Sequence, residues 1–539
     1  MNAAPGSRLA LALADLERDD AELARFLDKP LLEEYETVVI GSGPGGATLA
    51  HALAPGGGSI LIIERGDFLP HEPDNWDSRV VLEQQRYANT ERWQDASGNW
   101  FQPFMYYYVG GMAKVYSASL IRFRAQDFEE ISHEGGRSPA WPISYGELEP
   151  YYAKAERLYW AHGRAGEDPT EAPRSGPFPH PPVPIVPEIA ALRDRLRGVG
   201  LRPFCLPQGL ALGEGGRCVY CAHCDSHPCR VVAKGEPELC CIRPALRRPN
   251  VTLLRNATAR RLLTDPSGRE VVAVEVERAG EKLRIGGGRF AVACGAVNTP
   301  VLLLRSANER HPNGLANDSG LVGACYMRHE CTVLLTRPPD AAELPQDHYW
   351  KSMGVHDYLL SGNDGWPYPL GAIQAAGNLH EYMAALVPES TAATPAERAA
   401  MARQMLPLFL VTEDLPSVDN RVELTAEGAI RLTYRANNVP SHRRLIDVAR
   451  AKLKEAGYAP SLASSSLDVT DGGGYHHCGT ARFGDEPATS VLDRDCRAHG
   501  VRNLFVVDAS VLPSAAALNP VLTIAANALR VADVLMAEG

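Results

Sequence analysis

Two groups of side chains in this 539-residue sequence have the types and the spacing for chemistry. The first is the segment Tyr475, His476, His477, Cys478, Gly479, Thr480, where an imidazole can take up a proton near neutral pH. Neighbours in an extended segment point to opposite faces, so one of the two histidines is expected at any one site, the other packing or hydrogen-bonding. The second group is a run of thiols. Cys218, Cys221, Cys224 and Cys229 read C-x2-C-x2-C-x4-C, and Cys240 and Cys241 follow. Thiolates at that density bind an iron–sulfur cluster or zinc, with His223 and His227 as further zinc ligands. The ferredoxin run is C-x2-C-x2-C-x3-C-P, whereas here one residue is added and Pro228 precedes the last cysteine. That departure favours a compact loop with buried thiols or disulfides over a metal site.

A third pattern binds rather than reacts. Gly41, Gly43 and Gly46 form G-x-G-x-x-G within TVVIGSGPGGATLAHAL, Thr37 to Leu53, and a second apolar run, SILIIERG, follows from Ser59. Strand, glycine turn, helix and strand in that order open a doubly wound parallel sheet. The first glycine permits the tight turn, the second lets a pyrophosphate approach the backbone, and the third allows close helix–strand packing. Glu64 lies 23 residues beyond Gly41, where a carboxylate can bind the hydroxyls of an adenosine ribose.

The remaining elements must position these groups. The first thirty-odd residues read as a charged helical extension. Asp127 to Pro207 is rich in Pro, Trp and Tyr and predicts one amphipathic helix around Glu149 to Tyr159, then an extended proline-bearing excursion. Val251 to Asp265 and Val271 to Arg278 read as strands joined by a turn at Pro266, Ser267 and Gly268. RFAVACGAVNTPVLLLRS reads as a strand turning into a helix, Ser441 to Gly457 as a helix, and the end of the chain as a buried strand, NLFVV, followed by an apolar helix. Tyr106, Tyr107 and Tyr108 read as core aromatics of a strand, with stacking on a sugar ring as the functional alternative.

Composition narrows the function classes. Fifty-four basic against 65 acidic side chains give a net charge of −11, which argues against a nucleic-acid partner, since affinity for phosphate backbones comes mainly from Lys and Arg. Hydrophobic residues at 45% and charged residues at 22% suit a soluble globular enzyme. No apolar run reaches the ~18–20 residues of a membrane span, and no signal-like stretch opens the sequence, so no membrane span and a cytoplasmic location are the expectations.

Four separated motifs carry a family resemblance: the glycine turn at Gly41, VGGMAKVYSASLIRFRAQDF from Val109, CGAVNTPVLLLRS from Cys294, and GGYHHCGTARFG with NLFVVDASVLPSAAALNPVLTIAANALRVAD. In this order, over nearly the whole chain, they resemble the glucose–methanol–choline (GMC) oxidoreductases. The resemblance implies an α/β fold: a discontinuous Rossmann-like FAD-binding domain (residues 30–130, 205–325 and 470–539) and a mixed α+β substrate domain (131–204 and 326–469). It further implies that Gly41, Ser42, Gly43 and Gly46 hold the pyrophosphate and Glu64 the ribose, and that Gly110 and Gly111 pass close to the flavin. Ala259 would contact adenine, and Asp508 with Asn519, Pro520 and Val521 would line the ribityl chain and ring. Where some relatives attach FAD through a histidine, this sequence aligns Val115, so the flavin is expected to be noncovalent.

Family spacing selects His476 as the base that takes the alcohol proton, with Asn519 hydrogen-bonding the alcohol oxygen while hydride moves to flavin N5. The expected partners are a small-molecule alcohol and oxygen or another electron acceptor. The family includes bacterial oxidases of aminoglycoside precursors, so the sharper expectation is an amino-sugar of the paromamine type, with Glu413 and Asp414 as acids suited to its ammonium groups. Other relatives are flavin subunits of sugar dehydrogenases that pass electrons through an iron–sulfur cluster to a cytochrome, which keeps that alternative open for the cysteine run. A flavin protein without redox activity is the other alternative, and the intact His476–Asn519 pair argues against it.

Overall fold

A computed structural model describes residues 5–340, 343–362, 365–377, 392–466 and 476–538. A seven-stranded sheet is built around the strand Glu34–Ile40. Its order is Val251–Leu254, Ile60–Ile63, Glu34–Ile40, Glu281–Val292, Val271–Arg278 and Ala257–Thr264, with Leu504–Val506 also paired to Glu281–Val292. The strands Val251–Leu254, Ile60–Ile63, Glu34–Ile40, Leu504–Val506 and the second half of Glu281–Val292 run parallel, and their registers bring Leu254, Ile63, Ile40, Val292 and Val506 to one edge. Ligands of open parallel sheets bind outside that carboxyl edge. Ile60–Ile63 is buried at every residue, as a strand covered on both faces must be. The terminal helix Val521–Glu538 packs against Pro44–Leu53 and against Tyr145–Leu158.

A second sheet is antiparallel, in the order Ala459–Ser466, Glu330–Arg337, Leu406–Thr412, Ala372–Ala375, Met353–Val355 and Phe204–Cys205. Its two faces separate by the two-residue period of a strand. Leu334, Leu408 and Leu410 pack with Leu445, Val448 and Leu453 of the helix Val439–Glu455. The alternate residues Cys331, Val333 and Phe409 face a large cavity between the sheets, with Val333 directly opposite Phe409.

The structure departs from the sequence expectations at three places, each for a local reason. The proline-rich excursion ends in a helix, Pro187–Gly198, because proline costs nothing in the first helical turn, where its missing N–H has no partner to lose. Val251 to Asp265 is two strands rather than one. The chain breaks at Asn256, whose φ of +54° turns it from the parallel sheet into the hairpin. Tyr106, Tyr107 and Tyr108 lie in irregular chain, not in a strand. Among the described residues no helix is long and apolar enough to cross a membrane.

Candidate active site

The cavity measures about 910 Å³, at the upper end of small-molecule pockets and roomy enough for a cofactor and a substrate together. It runs from the glycine turn at the carboxyl edge of the parallel strands to His476 and Asn519. At its first end the packing dictates the glycines. Gly41 has φ +103°, and a Cβ there would stand 2.3 Å from the Ala293 carbonyl oxygen. A Cβ on Gly46 would stand 2.1 Å from the Gly41 oxygen, so the helix approaches the turn only because Gly46 has no side chain. Gly43, in contrast, has open space where a Cβ would be, and it lines the cavity just before the helix Pro44–Leu53. A helix N-terminus with free N–H groups beside open space is built for a phosphate.

Glu64 is buried and engaged on both oxygens. Ser42 donates to Oε2 through its hydroxyl (2.6 Å) and its N–H (3.1 Å), and the Gly66 N–H donates to Oε1 (2.9 Å). The Ser42 hydroxyl oxygen also accepts from the Gly110 N–H at 3.1 Å, which ties the two glycine turns together. Burial raises the Glu64 carboxyl above its ordinary range despite these donors. Gly110 itself does not line the cavity. Its missing side chain makes room for the Glu236 carboxylate, while Gly111 lies on the cavity wall, where a Cβ would stand 3.0 Å from the Gly43 Cα. Ala259, Asp508, Pro520 and Val521 all line the same space. Asp508 accepts from the N–H groups of Gly295 and Ser510, both at 2.8 Å, and from the hydroxyls of Thr299 and Ser510. Val115, also on the wall, carries no group that could form a covalent link. A glycine turn at a helix N-terminus, a buried carboxylate beside it and a cavity leading on to His476 and Asn519 fit FAD.

At the other end stand the histidines; Tyr475 lies outside the described residues. His476 and His477 both line the cavity. The backbone of His476 is not extended but left-handed (φ +62°), which breaks the alternation of faces. Asn519 Nδ2 lies 3.2 Å from His476 Nε2, and Gln374 Nε2 donates to Asn519 Oδ1 at 2.8 Å. Burial first, and then the neighbouring His329, Lys351 and His477, hold the His476 imidazole well below its ordinary value, so it stands neutral and able to accept a proton. His477 packs edge-on against Tyr326, with ring centroids 5.4 Å apart.

Glu413 and Asp414, the acids expected to suit an amino-sugar, are structural. Glu413 Oε2 sits 3.4 Å from His133 Nε2 and Oε1 accepts from the Ala516 N–H, while the fully buried Asp414 accepts from the Arg328 N–H. Neither lines the large cavity. The chain missed in their favour is the cysteine loop, whose Asp225, Ser226 and His227 do line it. Asp225 Oδ2 is 3.3 Å from Lys351 Nζ, another cavity residue, and accepts from the Gly377 N–H. The loop is stitched from inside by Lys234, whose buried ammonium donates to the carbonyls of Tyr116, Cys224 and His227 at 2.6–2.8 Å. Cys218, Cys221, Cys224 and Cys229 are free thiols, and burial pushes the first three up from the ordinary thiol value. Among the described residues no group of three or more His, Cys, Asp or Glu side chains is arranged to hold a metal ion.

Comparison with known proteins agrees with this geometry. Two models described as GMC oxidoreductase match residues 104–331 and 416–528. The chain is 30% identical to paromamine 6'-oxidase of Streptomyces fradiae, over 94% of this chain and 92% of that protein. It is 30% identical to 6'''-hydroxyparomomycin C oxidase of Streptomyces lividus, over 92% and 90% of the two. The crystal structure of pyridoxine 4-oxidase from Mesorbium loti superposes with a TM-score of 0.66 at 19% identity, covering 93% of this chain and 99% of that one, which shows the fold. On its motifs, its fold and these similarities, the chain belongs to the GMC oxidoreductase family.

Proposed function

We propose that this protein oxidises an alcohol CH–OH group to the aldehyde or ketone with noncovalent FAD, and that its substrate is a sugar or amino-sugar of the aminoglycoside-precursor type. One observation carries the chemistry: a bare imidazole nitrogen and an amide donor converge, His476 Nε2 and Asn519 Nδ2 being 3.2 Å apart. An alcohol entering there donates its O–H to His476 and accepts from Asn519. As the proton passes to the imidazole, negative charge grows on the alcohol oxygen and the Asn519 amide stabilises it. Gln374 holds that amide with its oxygen turned away from the substrate. When bound, FAD supplies the acceptor for the hydrogen and electron pair of the C–H bond.

Gly41, Ser42 and Gly43 would hold the pyrophosphate (with Gly46 packing behind the turn), Glu64 the ribose, and Ala259 the adenine. Gly111 would flank the flavin, with Gly110 behind it and Asp508, Pro520 and Val521 along the ribityl chain and ring. Residues 30–130, 205–325 and 470–539 would form the FAD-binding domain, a division supported by the strands of the seven-stranded sheet all falling within those ranges. The similarity to the two Streptomyces oxidases supports the substrate reading.

The test is an anaerobic absorbance scan of the flavin-loaded protein with a panel of alcohols, neutral sugars and paromamine-like amino-sugars. Bleaching by the amino-sugars, with recovery on admitting air, is expected of an oxidase. Bleaching by neutral sugars alone would overturn the substrate reading, and a reduced flavin that air does not reoxidise would overturn oxygen as the acceptor.

A further inference from the structure

The segment carrying His476 is clamped to the start of a strand far away in sequence. Met327 and Cys478 form an antiparallel bridge with two hydrogen bonds, Met327 N–H to the Cys478 oxygen (3.0 Å) and Cys478 N–H to the Met327 oxygen (2.9 Å). Two residues further along each segment, in opposite chain directions, His329 and His476 face each other. Their Nδ1 atoms are 2.8 Å apart and the rings cross at 71°. His329 is fully buried and has no place in the mechanism above.

Two nitrogens at that distance need one proton between them, and the far side of His329 decides which ring supplies it. His329 Nε2 lies 3.1 Å from the carbonyl oxygen of Ala515, which can only accept. Nε2 therefore carries the hydrogen, and the lone pair of the neutral ring is on Nδ1. Burial keeps His329 below the ordinary imidazole value, consistent with a neutral ring. His476 must then donate from its own Nδ1, which leaves its Nε2 bare. That nitrogen faces the Asn519 amide donor, whose orientation is set in turn by Gln374. Every link runs in one sense only, because the chain ends on a carbonyl at Ala515. The charged and titratable neighbours do not interrupt it: Lys351 is paired with Asp225, and Glu413, which faces His329, with His133.

We propose that His329 is a positioning residue, locking His476 in its Nδ1–H tautomer so that Nε2 is the atom that accepts the alcohol proton. The inference rests on the reading of His476 as the base. In the step it serves, the alcohol O–H bond breaks and the proton bonds to Nε2. The resulting imidazolium keeps its Nδ1–H on His329, and no proton passes to His329. A partner that is neutral and only accepts fixes the ring's tautomer and rotation together, the role an orienting residue plays in general-base sites.

The test compares wild type, His329→Leu, His329→Asn and His476→Ala, all loaded with flavin. Nitrogen chemical shifts of labelled histidine report the tautomer, and the resonances lost in His476→Ala identify His476. The wild type is expected to show the Nδ1–H form. His329→Leu should move His476 toward the Nε2–H form and lower the limiting rate of anaerobic flavin reduction at least tenfold, with KM little changed. His329→Asn, whose amide oxygen stands near the lost Nδ1, should recover most of both. An Nε2–H tautomer in the wild type would overturn the proposal even if His329→Leu does not fold. So would a His329→Leu protein that keeps the wild-type tautomer, whether its rate is retained or lost. If His476→Ala itself reduces flavin at the wild-type rate, the base assignment fails, while the tautomer measurement still judges the His329 contact separately.

Discussion

Replacing His476 and His477 in turn separates the proposed base from its neighbour. His476→Ala removes the acceptor that stands 3.2 Å from Asn519 Nδ2 and replaces it with cavity space. A missing general base costs ~10²–10⁴ in rate, or about 2.7–5.4 kcal/mol of transition-state stabilisation at ~1.36 kcal/mol per decade. The same change strips His329 Nδ1 of its donor and Asn519 Nδ2 of its acceptor. Each buried polar group left unpaired costs ~1–3 kcal/mol, less wherever cavity water can reach it, so a modest fall in Tm accompanies the loss of rate. His477→Ala instead removes an edge-on contact with Tyr326, worth ~0.5–1.5 kcal/mol of stability, and no group on the proton's path. The assay is stopped-flow reduction of bound flavin under anaerobic conditions at saturating substrate, with flavin content and Tm measured on the same samples. His476→Ala should lose at least tenfold more rate than His477→Ala at equal flavin content. Equal losses, or a larger loss in His477→Ala, would refute the assignment of the base.

Two further outcomes are expected. Glu64→Ala should shed flavin, because the change removes both the ribose-side carboxylate and the group that holds Ser42 against Gly110; flavin content after gel filtration measures this, and retention equal to wild type would sink the assignment. Stability should also fall on acidification. His442, wedged between the Thr332 and Thr412 hydroxyls, is held down to about 4 by burial. Its unfolded value is ~6.5, so protonation favours the unfolded chain. The contribution is complete above pH ~6.5, declines below it and is gone by about pH 4, a span of ~3 kcal/mol. Urea midpoints of wild type and His442→Gln across that range check it: the variant's pH slope should be shallower, and identical slopes would refute the reasoning.

The nucleotide end of the cavity was legible because its determinants are local. Thr37 to Glu64 is one continuous strand, turn, helix and strand, so the spacing of Gly41, Gly43, Gly46 and Glu64 carries nearly all of its geometry. The helix at Pro187 was not legible, since a proline-rich approach reads the same whether or not a helix begins at its last proline. The acids Glu413 and Asp414 misled for a related reason: composition shows that a carboxylate exists but not which way it faces. Asp225 faces the cavity only because the loop around Lys234 presents it there.

The amino-acid sequence alone determined the family and the cofactor class and pointed to His476 and Asn519 as the proposed catalytic pair, because each is written in short motifs whose chemistry depends on spacing along the chain. The tertiary structure decided what stands beside that pair. His329 lies 147 residues from His476, and it meets that ring through the register of one backbone bridge, Met327 to Cys478, and a left-handed turn at His476. Neither is encoded in a local period. A hydrogen bond between distant segments depends on the placement of both in three dimensions, and the contact of His329 with His476 is one.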